Sequence, residues 1–195
     1  MWTLWYHDPA NNDYSLASYI RIFEVKDVSD FWTIVDGIPK EMWESGMFFF
    51  MRGEIPPLWD APENDKGGAW SKKVDAADTH AVFVDCMVHC IAESFLKGQN
   101  ETVSGVTVSP KGQFHIIKVW NSTTKVSDYK LFNPTLKMKL GTDIAYKAHN
   151  QRPKETAASA AASPFQTPCD ASHPGAQYHE YEPSFCTLHV RTSPA

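Results

Sequence analysis

The sequence predicts an α+β protein built on an antiparallel sheet, and three observations carry that expectation. Residues 2–7 and 19–26 are rich in β-branched and aromatic side chains and flank the turn-forming Asp8-Pro9-Ala10-Asn11-Asn12-Asp13, which is meander material. Between residues 78 and 95 the apolar period lengthens, so that Val82, Phe83, Cys86, Met87, Cys90, Ile91 and Ser94 fall on one helical face. Residues 103–108 and 114–120 then form a hairpin-like pair about Ser109-Pro110-Lys111-Gly112.

Each element has a local cause. After the second strand, Asp27 is a helix cap with Asp30 at the third helical position, followed by apolar Phe31, Ile34 and Val35, and this predicts a short helix. Residues 47–50 are an apolar strand, and the Pro56-Pro57 pair ends whatever precedes the next loop. Asp78 or Thr79 is expected to cap the main helix over 78–95. A third helix is expected over 127–136 and a last strand over 140–148. Beyond His149 the composition shifts to Ala, Ser, Pro and Thr, with too little apolar surface to fold alone. The chain therefore divides into a domain over residues 1–153 and a flexible tail over 154–195.

Composition excludes several classes. At 195 residues the chain fits one domain with an appendage. No apolar run reaches the length of a membrane span, and Met1-Trp2-Thr3-Leu4-Trp5-Tyr6-His7-Asp8 lacks the basic-then-apolar pattern of a signal peptide, so a cytoplasmic protein is expected. Cys86 and Cys90 point into an amphipathic helix while Cys169 and Cys186 lie in the tail, which is neither a disulfide framework nor a zinc spacing. No P-loop, dinucleotide fingerprint or nucleophile elbow is present. The expectation is a binding protein with no catalytic residue, metal or cofactor. A net charge of −5 argues against holding nucleic acid by its phosphate backbone, whereas seven Trp, seven Tyr and eleven Phe offer stacking instead.

The stretch Pro57-Leu58-Trp59-Asp60-Ala61-Pro62-Glu63-Asn64-Asp65-Lys66-Gly67-Gly68-Ala69-Trp70 sets an indole beside a carboxylate in a Pro/Gly-rich loop. An indole face attracts a flat cationic ring, and a neighbouring carboxylate accepts that ring's in-plane N–H donors. N7-methylguanine meets both demands, because methylation makes the ring positive and its N1–H and N2–H₂ edge matches one carboxylate.

With these elements placed, the chain resembles the messenger-RNA cap-binding translation initiation factors called 4E over roughly residues 2–150. The resemblance rests on Trp2-Thr3-Leu4-Trp5-Tyr6, Val28-Ser29-Asp30-Phe31-Trp32, the Trp59 loop through Gly67-Gly68-Ala69-Trp70, Glu93-Ser94-Phe95, the Lys111-Gly112 turn before Trp120, and His149. It implies a curved antiparallel sheet of about eight strands with about three helices on its convex back. It also implies a concave slot for the 7-methylguanosine cap of mRNA.

The resemblance further implies roles for single residues. Trp59 matches the indole over one face of the cap guanine, and Asp60 matches the carboxylate on its edge, where the family usually has Glu. Asp is one methylene shorter, so the base must sit about 1 Å deeper or the loop must move. Trp120 matches the residue near the N7-methyl group. The family's second stacking Trp is absent; Tyr14 replaces it with a one-residue shift, and Tyr19 is the alternative. Two family arginines appear as Ala69 and Ser109, which predicts weaker cap binding with a shallow salt dependence. Lys66, Lys111, His115 and Lys118, with Arg152 and Lys154 in the C-terminal loop, are the cations left to meet phosphates. On the convex back Trp32, with Val28, Val84, Asp85 and Val88, matches the site of a 4G-like adaptor or 4E-interacting protein. The expected protein is a monomer apart from that adaptor. Two readings follow: a cap reader that delivers mRNA to an adaptor, or a divergent relative with a weakened pocket acting as a scaffold or translational repressor.

Overall fold

The computed structural model describes residues 1–151, and Arg152, Lys154, the two tail cysteines and the expected tail fall outside them. The strands are β1 (Trp2–His7), β2 (Ile20–Val25), β3 (Met47–Arg52), β4 (Gly68–Asp75), β5 (Val103–Lys111), β6 (Phe114–Asn121) and β7 (Ala145–Ala148). The helices are α1 (Val28–Gly37), α2 (Lys40–Ser45), α3 (Ala76–Ile91) and α4 (Pro134–Leu140). The strands make one curved, open antiparallel sheet in the order β2-β1-β3-β5-β6-β4-β7. It has seven strands where the resemblance implied about eight.

Strand alternation sorts the side chains onto two faces. On one, Leu4, Phe48, Phe50, Trp70, Val106, Val108, Ile117 and Val119 pack with Phe31 and Ile34 of α1, Trp43 of α2, Phe83, Cys86, Met87 and Cys90 of α3, and Leu136 and Leu140 of α4. All four helices therefore lie on this face, each large side chain contributing about 1.5–3 kcal/mol of transfer free energy. Cys86 and Cys90 are buried free thiols here, and burial pushes both well above the ordinary thiol range. On the other face a smaller cluster joins Phe49, Met51, Ala69 and Trp120.

α1 starts as its sequence predicts. Asp30 N–H donates to Asp27 Oδ1 at 2.9 Å and Asp30 Oδ2 accepts from Asp27 N–H at 3.4 Å, a reciprocal capping box. Five points differ from expectation. β4 was not foreseen, because Ser71-Lys72-Lys73 conceals its alternation, yet it lies hydrogen-bonded between β6 and β7. α3 begins at Ala76 rather than 78, since β4 runs straight into it, and ends at Ile91 rather than 95. Just past that end Glu93 takes φ +48°, the left-handed conformation that usually stops a helix at Gly. Arg52 holds that residue by a two-pronged bond, Nη1 to Oε1 at 2.6 Å and Nη2 to Oε2 at 2.9 Å.

The β5–β6 hairpin is longer than expected: Ser109 and Pro110 belong to the strand, and Gly112, at φ +74°, makes the turn. The helix expected over 127–136 is instead a 3₁₀ turn at Tyr129–Leu131 followed by α4. Asn133 caps α4 through a 2.9 Å bond from Thr135 N–H to its Oδ1, with Pro134 in the first turn. Leu140 is consequently helical, and the last strand shrinks to β7.

Candidate binding site

The face without helices holds a concave cavity of about 790 Å³. Its floor is the alternating set Met47 and Phe49 of β3, Thr107, Ser109 and Lys111 of β5, and Ile116, Lys118 and Trp120 of β6. Its walls are the loop after β1, with Tyr14 and Ser15, and the loop after β3, with Pro57, Leu58, Trp59 and Asp60. Trp59, Asp60, Tyr14, Tyr19 and Trp120 thus share one cavity.

Trp59 is half-buried against the concave cluster, whereas Asp60 is exposed. Trp120 is almost wholly buried; its Nε1–H donates to Thr107 Oγ1 at 3.3 Å and its ring meets His149 edge-on at 4.9 Å. It closes the floor rather than standing free as a wall.

The loop that presents Trp59 is fixed by a buried amide that the sequence did not single out. Asn64 Nδ2 donates to Leu58 O at 2.8 Å and Pro56 O at 3.1 Å, the carbonyls leading into Trp59. The Asn64 carbonyl is bonded in turn to His149 Nδ1 at 2.9 Å, and His149 N–H donates to Gly67 O at 2.9 Å. Gly67 and Gly68 allow the close approach this needs. A Cβ on Gly67 would lie 1.7 Å from Asn121 O, and one on Gly68 would lie 2.5 Å from the Tyr146 hydroxyl. The second glycine's N–H also donates to Asn121 Oδ1 at 2.9 Å, so the loop exits directly into β4 with no slack.

On the opposite wall Tyr14 is 45% exposed and stacks on His7, with centroids 4.7 Å apart and planes 6° from parallel. Tyr19 lies deeper, tilted against His7 and edge-on to Phe49. Both tyrosines line the cavity, but Tyr14 has the more exposed ring.

The cations divide. Lys111 and Lys118 line the cavity. Lys66 does not; it sits at the far end of the loop, where its carbonyl accepts from Thr124 N–H. His115 is a correction. Alternation along β6 places it with Ile117 and Val119 on the helix-covered face, opposite Lys118, and it is buried there. Burial holds its pKa below the ordinary histidine value, with Glu44 opposing that shift, so it is no phosphate-facing cation. Ala69 and Ser109 are buried small residues.

Outside the sheet, Val28, Trp32 and Val88 are 62%, 48% and 37% exposed. Phe31 and Ile34 of α1 and Val82 and Phe83 of α3 belong to the same buried core, so each helix has its outer side left to solvent. Trp32 leans edge-on against Phe31 at 5.1 Å. Val84 is half-buried against the core, and Asp85 is paired with Lys139 of α4. The apolar stripe is therefore narrower than the spacing implies.

An open sheet backed by helices thus carries on its bare face a cavity lined by indoles and phenols. The described residues contain no group of three His, Cys, Asp or Glu placed to hold a metal ion. The chain belongs to the eukaryotic initiation factor 4E family, whose model matches residues 1–163. It is 27% identical over 125 residues to eukaryotic translation initiation factor 4E-1 of Caenorhabditis elegans, covering 61% of this chain and 58% of that one. Against factor 4E-5 of the same organism it is 27% identical over 157 residues, covering 77% of each. It thus spans little more than half of the first of these relatives. Among solved structures, the complex of C. elegans eIF4E-3 with the 4E-binding protein Mextli and cap analog matches at TM-score 0.67 and 20% identity, over 79% of this chain and 94% of that one. The complex of Ascaris suum eIF4E-3 with m7G cap matches at TM-score 0.65 and 22% identity, over 77% and 89%. These likenesses establish the shared fold.

Proposed function

We propose that this chain binds the 7-methylguanosine cap of mRNA and links it to a 4G-like adaptor or 4E-interacting protein in translation initiation. The observation that carries the reading is the convergence of Trp59, Asp60, Tyr14 and Trp120 on one cavity. Trp59 and Tyr14 stand on the two walls as the plates for a methylated base, and Asp60 at the rim accepts its N1–H and N2–H₂ edge. Stacking on such plates is worth about 1–3 kcal/mol per base, enough for binding despite a net charge of −5. Lys111 and Lys118 on the floor supply charge for the phosphates, with Lys66, Arg152 and Lys154 as outer candidates. The cap and Mextli complexes of the nematode relatives support both halves of the reading.

In this role the protein is not an enzyme, uses no cofactor and is cytoplasmic, its cap-binding domain covering residues 1–153. Among the described residues no helix is long and apolar enough to cross a membrane. Val28, Trp32, Val84, Asp85 and Val88 form the adaptor surface, and the protein is otherwise a monomer. The second reading, a scaffold or repressor with weak cap binding, is favoured by Ala69 and Ser109, since among the described residues no arginine lines the cavity. Titration of tryptophan fluorescence with 7-methyl-GTP against GTP decides between them. Methyl-dependent quenching that Trp59→Ala abolishes supports the cap reader. No quenching in folded protein, with adaptor capture still lost in Trp32→Ala, supports the scaffold.

A further inference from the structure

We propose that His7 is a positioning residue that sets the plane of Tyr14 as one wall of the cavity. Tyr14 sits in a loop whose residues from Asp8 to Ala17 are all exposed, held together by side chains bonding to backbone two residues on. Ala10 N–H donates to Asp8 Oδ1, Asp13 N–H to Asn11 Oδ1, and Ser15 N–H to Asp13 Oδ1, each at 2.8–2.9 Å. Such turns shape the loop but do not anchor it to the sheet. A phenol there, with two torsions and no neighbour, has no fixed plane.

His7 supplies the anchor twice over. It is the last residue of β1, fully buried, and its Nε2 lies 2.8 Å from the carbonyl oxygen of Asp13, the residue just before Tyr14. A carbonyl only accepts, so Nε2 carries the proton. The same imidazole then lies flat behind Tyr14 at 4.7 Å and 6°, which fixes the ring as well as its backbone. Its third contact, with Tyr19 at 4.7 Å and 51°, ties this support to the cavity floor through Phe49. Since one face of Tyr14 is taken by His7, the face left to the cavity is the one a flat ligand would meet. Pre-setting that plane removes an ordering cost from binding. Leu would fill the space without the stack or the bond, and Phe would keep the stack alone.

The predicted effect on ligand affinity rests on the cap-reader reading; the effect on Tyr14 itself does not. The test uses the full chain labelled with 3-fluorotyrosine, the Tyr14 resonance being identified by its loss in Tyr14→Phe. Without ligand, His7→Leu should move that fluorine resonance toward free fluorotyrosine and narrow it, while His7→Phe should leave it near its original place. An unmoved Tyr14 resonance in His7→Leu would overturn the assignment. If His7→Leu fails to fold, a Tyr14 resonance in His7→Phe as narrow and shifted as free fluorotyrosine overturns it equally. For 7-methyl-GTP, an aromatic pair worth ~0.5–1.5 kcal/mol predicts about 2- to 12-fold weaker binding in His7→Leu, and no further loss when His7→Leu is added to Tyr14→Ala. An equal loss in both backgrounds would mean a general packing defect and sink the proposal. A wild-type protein that ignores 7-methyl-GTP would defeat the cap reading and leave the fluorine result to decide His7.

Discussion

The two faces of the sheet are built from the same strands and do opposite things. Along β3, Phe48 and Phe50 point into a core sealed by four helices, while Phe49 and Met51 point into a cluster that a ligand cavity overlies. The covered face is large, apolar and redundant. The bare face relies on a few fixed contacts, Asn64 to the carbonyls before Trp59 and His149 to both Asn64 and Gly67. Stability therefore resides on one face and the proposed recognition on the other, and substitutions should separate the two.

The sharpest separation is between two tryptophans. Trp43, wholly buried between α2 and the sheet, should cost about 3–5 kcal/mol when replaced by Ala, read as a lower midpoint in urea unfolding. Trp59→Ala should leave that midpoint nearly unchanged while removing 7-methyl-GTP quenching; a comparable fall in stability would erase the distinction. Next in size, Gly67→Ala drives a methyl group into the Asn121 backbone and should cost about 1–3 kcal/mol, and unlike Trp43→Ala it should also disturb the Trp59 emission of the folded protein.

A subtler probe is pH. Burial depresses His115 on the covered face, so the unfolded chain binds the proton more readily than the folded one. Its contribution is complete above the unfolded value of about 6.5 and fades as pH falls through it, so that stability should rise from pH 5 to 7. His115→Leu should flatten that part of the profile, whereas a cation on the cavity face would leave the slope in place and show its loss in ligand binding instead. Smallest of all is the half-exposed Asp85–Lys139 pair, where Lys139→Met should change stability by less than about 1 kcal/mol at low salt.

The features that sequence disclosed were the local ones. Trp59 beside Asp60 announced its chemistry in two residues, and Asp27 with Asp30 announced a helix start in four. β4 escaped because lysines at Lys72 and Lys73 blur its alternation, even though its pairing with β6 and β7 is unambiguous in space. His115 is near Lys118 along the chain, but the period of two in a strand sends them to opposite faces. Asn64 and His7 gave no signal, because each acts through a geometry that only the folded loops create. The seven-strand sheet was foreseen in kind from its hairpins, but the exact ends of α3 and α4 depended on what each helix abuts.

The clasp between His149 and Asn64 also sets a schedule for synthesis. The two residues are 85 positions apart, and the later one is needed to hold the loop that presents Trp59. At about 5–20 residues per second, a ribosome takes about 4–17 s to travel from one to the other. Through that interval the nascent chain already contains its indole and its carboxylate, yet lacks the tie that aims them, so the proposed recognition becomes available only once His149 has been made.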